Sequence, residues 1–166
     1  LLQQAVDLHQ QGAVGEARER YAQVLRREPK NIDALYLSGL AQCQLGNFKD
    51  AIKHLRRAVS LAPTHAAAHN TLSRALHATG QLEDALASGN NAIAADRSFA
   101  EAHANRGDIL QDLKRPDDAL DAYDHALELL PECWKTDQVW EEVVVIALVV
   151  MHYKESQRII AATAAS

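Results

Sequence analysis

Apolar and polar positions in this chain repeat on two scales. Within "GNFKDAIKHLRRAVSLAP", Gly46 to Pro63, apolar side chains recur every three or four residues, the signature of an amphipathic helix. On the longer scale, Ala17, Val24 and Pro29 stand 34 positions before Ala51, Ala58 and Pro63. Ala85 and Ala92 follow 34 positions later, and Ala119, Ala126 and Pro131 after another 34. Stacked at this period, the sequence gives four units ending near Pro29, Pro63, Arg97 and Pro131, each with two helical patterns and a short turn.

In the first three units the turn carries Gly12, Gly46 and Gly80, residues that take the left-handed conformation at a helix end. The fourth has Lys114-Arg115-Pro116 instead. Its turn is therefore expected to close differently, with Pro116 in the first turn of the next helix. Glu16, Asp50, Asp84 and Asp118 recur near the start of each second helix, at the positive end of its dipole. Asn47 and Asp50 resemble a capping box. Ala17, Ala51, Ala85 and Ala119 hold one phase of the period, and Ala5, Gly39, Ser73 and Gly107 are small at another. Helices approach closely only where crossing positions lack bulk, so the small phase of the first helix is expected to face the Ala of the second. Val24, Ala58, Ala92 and Ala126 make the same accommodation for the next unit, while Tyr21, Leu55 and Tyr123 fill the space beside them. Gly89 breaks that bulky series and predicts a looser spot in the third unit.

This pattern resembles the tetratricopeptide repeat (TPR), a helix–turn–helix unit of 34 residues. The resemblance covers Leu1 to Pro131 in four copies. It implies an all-α fold: a right-handed α-solenoid of antiparallel helix pairs (a TPR superhelix), with four clear repeats plus a degenerate fifth. Departures from the family pattern are Arg97 in place of the closing Pro, Gly89, and the missing turn Gly of the fourth unit. His69 and His103 stand where the family often has Trp or Leu.

Residues 132–166 read as a degenerate fifth helix pair or C-terminal capping helices, once three extra residues are allowed after Pro131. Trp140 and Tyr153 then fall at the family's aromatic positions, Glu155 at the acidic phase, Ser156 at the small phase and Ile160 at the bulky one. The pair would run Asp137–Met151 and Tyr153–Ala165. A β-strand over Val143–Val150 competes, because β-branched residues dominate "VVVIALVV".

Composition narrows the function classes. Hydrophobic content of 48% with 23% charged residues is globular. A formal charge of −5 argues against nucleic acid or anionic lipid as the main partner. The longest apolar run, Val143 to Met151, falls short of the ~20 residues of a membrane span, so no membrane association is expected. Leu1 stands where a Met would begin a whole gene, and no basic leader precedes it; the chain reads as a cytoplasmic protein or a piece of a longer one. Cys43 and Cys133 lie in unrelated contexts, fitting reduced thiols. Among the eight histidines, His65, His69 and His77 share a helical face, but no Cys or carboxylate stands at ligand spacing, so no metal is expected. Asp117-Asp118 and Glu141-Glu142 are adjacent pairs whose side chains diverge on a helix. No nucleophile motif, phosphate loop or cofactor motif is present. The expectation is a chain that is not an enzyme and carries no cofactor.

What remains is surface. Solenoids bind along the concave face lined by their first helices. The resemblance places there Tyr36, Leu40 and Cys43 of the second unit, and Asn70, Arg74 and His77 of the third. Glu101, Asn105, Asp108, Gln111 and Asp112 come from the fourth, and Val145 and Leu148 from the fifth. Chaperone-binding members of the family grip a C-terminal carboxylate with Lys and Arg. Here Leu2, Val6, Leu37 and Ala67 occupy those positions, and only Arg74 is cationic. An inward Asn ladder, as in the repeat arms of protein O-glycosyltransferases, is represented only by Asn105; Gln3, Leu37 and Thr71 replace the rest. The Ala-rich texture still resembles bacterial repeat arms. The leading reading is a non-catalytic interaction module for a peptide or protein segment. One alternative is a regulatory or substrate-presenting arm of a larger enzyme such as a glycosyltransferase. The other is a scaffold, a homo-oligomer joined through its C-terminal apolar helices.

Overall fold

The computed structural model describes residues 1–129, 152, 153, 155, 156, 158–160, 162 and 163. All of its regular structure there is α-helical. The chain forms two compact units, Leu1–Asp96 and Arg97–Ser166. The first holds α1 (Leu2–Gln10), α2 (Val14–Arg27), α3 (Ile32–Gln44), α4 (Phe48–Leu61), α5 (Ala66–Ala78) and α6 (Leu82–Ala95). They pack as consecutive pairs, α1 with α2, α3 with α4 and α5 with α6; α2 also packs on α3, α4 on α5, and α3 directly on α5. The second unit holds the pair α7 (Ala100–Asp112) and α8 (Pro116–Leu129), followed by helical residues between 152 and 163. Residues 137–151, the first half of the fifth pair and the site of the competing strand, lie outside the described residues.

Each pair closes through the same turn. Gly12, Gly46 and Gly80 take φ of 80°, 75° and 74°. The N–H of the third residue past each first helix bonds back five residues: Ala13 to the Leu8 carbonyl, Asn47 to Gln42 and Gln81 to Leu76, at 2.8–3.0 Å. This is the Schellman closure. The fourth turn does not close differently, as the missing glycine had predicted. Lys114 adopts φ 60°, and Arg115 N–H reaches the Leu110 carbonyl at 2.9 Å. Pro116 opens α8 as expected, because its missing N–H has no helical partner there. The constraint is geometric: a three-residue connection between antiparallel helices requires a left-handed residue, whatever its side chain.

The crossings differ in detail from the expectation. In the third pair the Ala phase lies beside the small one, since Ser73 Oγ donates to the Ala85 carbonyl at 2.7 Å. In the second and fourth pairs the small residue makes room for the bulky one. A Cβ at Gly39 would stand 2.5 Å from Leu55 Cγ, and one at Gly107 would stand 2.5 Å from the Tyr123 ring. Leu55 and Tyr123 are fully buried against these bare backbones. The third pair inverts the arrangement. Gly89 supplies the space, and a Cβ there would lie 3.2 Å from Ser73 Oγ. The looser spot predicted at Gly89 is thus taken up by a wholly buried, hydrogen-bonded serine. In the first pair Ala5, Ala17 and Tyr21 form one buried cluster with Ala41. Small residues also join successive pairs, as expected: Ala58 packs with Leu35 and with Ala68 of the next pair.

Side chains tie the turns between repeats. Arg57 Nη2 donates to the Pro29 carbonyl at 2.7 Å. His69 Nε2 lies 2.9 Å from the Pro63 carbonyl, and His103 Nε2 lies 3.2 Å from the Arg97 carbonyl. Since a carbonyl only accepts, each imidazole carries its proton on Nε2. Arg97 keeps the tie because its backbone oxygen, not a proline ring, is the acceptor. The acids at the starts of α2, α4, α6 and α8 sit in the first helical turn as predicted. The capping box does not form: Asn47 Nδ2 donates to Gln42 Oε1 at 3.0 Å, and its side chain caps nothing. The side-chain caps are Asn31, accepting from Ala34 N–H at 2.9 Å, and His65, accepting from Ala68 N–H at 3.2 Å.

Near the C-terminus, Tyr153 is buried, its ring 5.3 Å from that of Tyr123 and its hydroxyl donating to the Pro116 carbonyl at 2.9 Å. Ser156 is half-buried and Ile160 is 58% exposed, whereas Tyr21, Leu55 and Tyr123 at the bulky phase are fully buried.

Gly39→Ala is expected to lower stability by about 1 kcal/mol: overpacking costs ~1–3, and the better helix propensity of Ala returns ~1. In a Leu55→Ala background the same change is expected to stabilise by up to about 1 kcal/mol. Urea unfolding of the four proteins reads this reversal of sign, and equal destabilisation in both backgrounds would refute the contact. Lys114→Gly is expected to raise stability by about 0.5–1 kcal/mol, because Gly accepts the left-handed conformation without a Cβ penalty. Thermal denaturation showing no gain would contradict the turn geometry.

Candidate partner-binding face

In the first unit the direct packing of α3 on α5 sets two first helices side by side. Tyr36, Leu40 and Cys43 follow one another along α3 at helical spacing, and Asn70, Arg74 and His77 do the same on α5. These positions are the ones left over once each helix has buried its other faces. On α3, Leu35, Ser38, Gly39 and Gln42 turn inward, so Tyr36, Leu40 and Cys43 remain half-buried. On α5, Arg74 is exposed and His77 half-buried, while Asn70 is buried. The Tyr36 ring lies 4.9 Å from the His65 ring in a tilted arrangement. That neighbour escaped the sequence reading; a contact 29 residues apart across a repeat boundary follows no helical periodicity. Burial raises the pKa of the Cys43 thiol, with the Arg74 guanidinium pulling the other way. The thiol is therefore protonated at neutral pH, a small apolar surface rather than a nucleophile.

The positions compared with a carboxylate clamp serve packing. Leu2, Val6 and Leu37 lie against the Ala5–Tyr21 cluster, and Ala67 accepts through its carbonyl from Thr71 Oγ1 at 2.9 Å. His9, at the end of α1, bridges two repeats: Nδ1 lies 3.1 Å from the Tyr21 hydroxyl and Nε2 lies 2.7 Å from Gln44 Oε1.

In the second unit α7 carries Glu101, Asn105 and Asp108, all half-buried, and Gln111 and Asp112, both exposed. The Tyr123 hydroxyl donates to Asp108 Oδ1 at 2.6 Å and, more weakly, to Gln111 Oε1 at 3.4 Å. Burial first, then the hydrogen bond and charge of Asp108, drive the Tyr123 pKa far up, so its proton stays in place. Tyr123 thus holds one carboxylate of this acidic row at a fixed position. Val145 and Leu148 lie outside the described residues.

Three of the histidines serve structure. His65 caps α5, and His69 and His103 tie the turns. Among the described residues no cluster of three His, Cys, Asp or Glu side chains could hold a metal ion, and no helix is long and apolar enough to cross a membrane.

Known proteins agree with this architecture. Family models described as tetratricopeptide repeat match residues 2–66, 44–104 and 100–133. A DnaJ homolog subfamily C member 7 homolog from Schizosaccharomyces pombe is 32% identical over 122 residues. That match takes in 64% of this chain but only 26% of the relative. Among solved structures, MamA superposes with a TM-score of 0.73 at 22% identity, over 93% of this chain and 96% of MamA. YrrB, described as a TPR protein with an unusual peptide-binding site, gives 0.71 at 25% identity, over 77% of this chain and 66% of YrrB. An O-GlcNAc transferase mutant from Thermobaculum terrenum gives 0.69 at 30% identity, over 77% of this chain and 24% of the transferase. Matched by these models from residue 2 to residue 133 and folded as the same helix pairs, the chain belongs to the tetratricopeptide repeat family of protein-interaction modules.

Proposed function

We propose that this chain binds a peptide or protein segment, without catalysis, along the first helices of its repeats. The observation that carries the reading is the side-by-side packing of α3 and α5, which sets Tyr36, Leu40 and Cys43 beside Arg74 and His77 on one partly open face. Tyr36 and Leu40 offer apolar area with few rotatable bonds to freeze, which favours binding. Arg74 orients a segment by hydrogen bonds to carbonyls or a carboxylate. In the second unit, taken by itself, the α7 row of Glu101, Asp108 and Asp112 favours basic residues over acidic ones, which meet repulsion. YrrB, a relative in fold, is described as having a peptide-binding site, which adds to the plausibility of such a face.

A phage-displayed peptide library selected on the purified chain, followed by fluorescence polarisation with the selected peptides, tests the reading. Leu40→Asp and Arg74→Glu are each expected to weaken binding at least about tenfold, as for the removal of a central contact. Asn90→Ala, on the exposed side of α6, is expected to leave binding unchanged. Selected peptides that bind both face variants as tightly as the parent chain, or no selected peptide at all, would overturn it.

A further inference from the structure

The second helices carry a charge pattern that the proposed groove does not use. Positions 68 apart, two full repeats, occupy the same place on α4 and α8. At three such places the charge is reversed: Lys49 against Asp117, Lys53 against Asp121, Arg56 against Asp124. Each triplet is spaced i, i+4, i+7 and so forms one row along its helix. The intervening α6 has Glu83, Ala87 and Asn90 at these positions. Lys49, Lys53 and Arg56 are exposed, as are Asp117 and Asp121, with Asp124 half-buried. Lys49, Lys53, Asp117 and Asp121 lie away from the buried sides of their helices. Ala51, Ile52, Leu55 and Ala58 make the buried side of α4, and Ala119, Ala122, Tyr123 and Ala126 that of α8.

The α4 row can meet a carboxylate on another helix. Arg56 Nη2 donates to Asp84 Oδ2 of α6 at 3.0 Å. Lys49, Lys53, Asp117 and Asp121 enter no side-chain ion pair or hydrogen bond among the described residues. Two rows of the same spacing, on helices of the same length but of opposite sign, are complementary surfaces.

We infer that the basic row of α4 in one copy of this chain docks against the acidic row of α8 in a second copy. The contact is heterologous, since it joins different surfaces of the two copies, and it leaves one α4 row and one α8 row unused for further copies. It is also weak and salt-sensitive. Exposed ion pairs contribute little singly, and the screening length falls from about 30 Å at 0.01 M salt to about 3 Å at 1 M. This surface is separate from the α3–α5 face, so loss of one leaves the other standing.

Sedimentation velocity of the full chain over micromolar to millimolar concentrations tests the inference. The weight-average sedimentation coefficient is expected to rise with concentration at 0.01 M salt and to stay flat at 1 M. Lys49→Glu/Lys53→Glu and Asp117→Lys/Asp121→Lys, each alone, are expected to weaken association at least about tenfold, because like-charged rows then face each other. Mixing the two variants is expected to restore it, since the first keeps its acidic row and the second its basic row. Both variants remain net negative, so bulk attraction does not explain a restored complex. A chain that stays monomeric at low salt overturns the inference. So does association that either variant leaves unchanged, or a pair of variants that fails to associate on mixing.

Discussion

Everything in this architecture depends on matched volumes where the two helices of a pair cross. A buried Leu or Tyr contributes about 1.5–3 kcal/mol through its removal from water, but only if the facing helix leaves room for it. Gly39 and Gly107 leave that room for Leu55 and Tyr123, and Gly89 reverses the roles with Ser73. Where the bulky residue is lost, a hydroxyl that bonds to the Ala85 carbonyl takes part of the space. The crossing therefore tolerates exchange of which helix carries the bulk, provided the sum is conserved.

The functional faces follow from that crossing. A helix that buries Leu35, Ser38, Gly39 and Gln42 leaves Tyr36, Leu40 and Cys43 as a partly exposed row beside them, since positions i, i+4 and i+7 line up along a helix. The same logic on the second helices turns Lys49, Lys53 and Arg56, and likewise Asp117 and Asp121, to solvent. The repeat thus keeps one buried side constant while two other sides are free to differ from unit to unit. Tyr36 beside His65 and Asp108 held by Tyr123 show how this freedom produces local chemistry on an invariant frame.

The period was legible because the tightest constraint, an Ala fully buried in all four second helices, admits almost no substitution. The helix pairs and Pro116 at the start of α8 could be read for the same reason. Which side chain opposes which could not. Periodicity gives the face of each helix but not the axial offset between two helices, so it did not show that the atoms nearest a Cβ at Gly39 belong to Leu55. The turn at Lys114 was misread because residue type was taken to dictate backbone shape, whereas the closure of the pair imposes φ 60° on a lysine. Asn47 was misread because a side-chain partner, Gln42, competes with the helix end. On the candidate face, the exposure of Arg74 was visible in the pattern, but the burial of Asn70 was not, and the Tyr36–His65 contact crosses a repeat boundary. Val145 and Leu148 lie beyond the described residues.

Volume matching at the crossing is tested most directly by moving the second pair's arrangement into the third. Gly89→Leu alone places a large side chain against Ser73, and the account predicts a marked loss of stability in urea unfolding. Ser73→Gly/Gly89→Leu recreates the Gly39–Leu55 crossing and is predicted to be at least as stable as the parent chain. Equal destabilisation of the single and the double variant would show that the crossing is not governed by complementary volume, and would contradict the account.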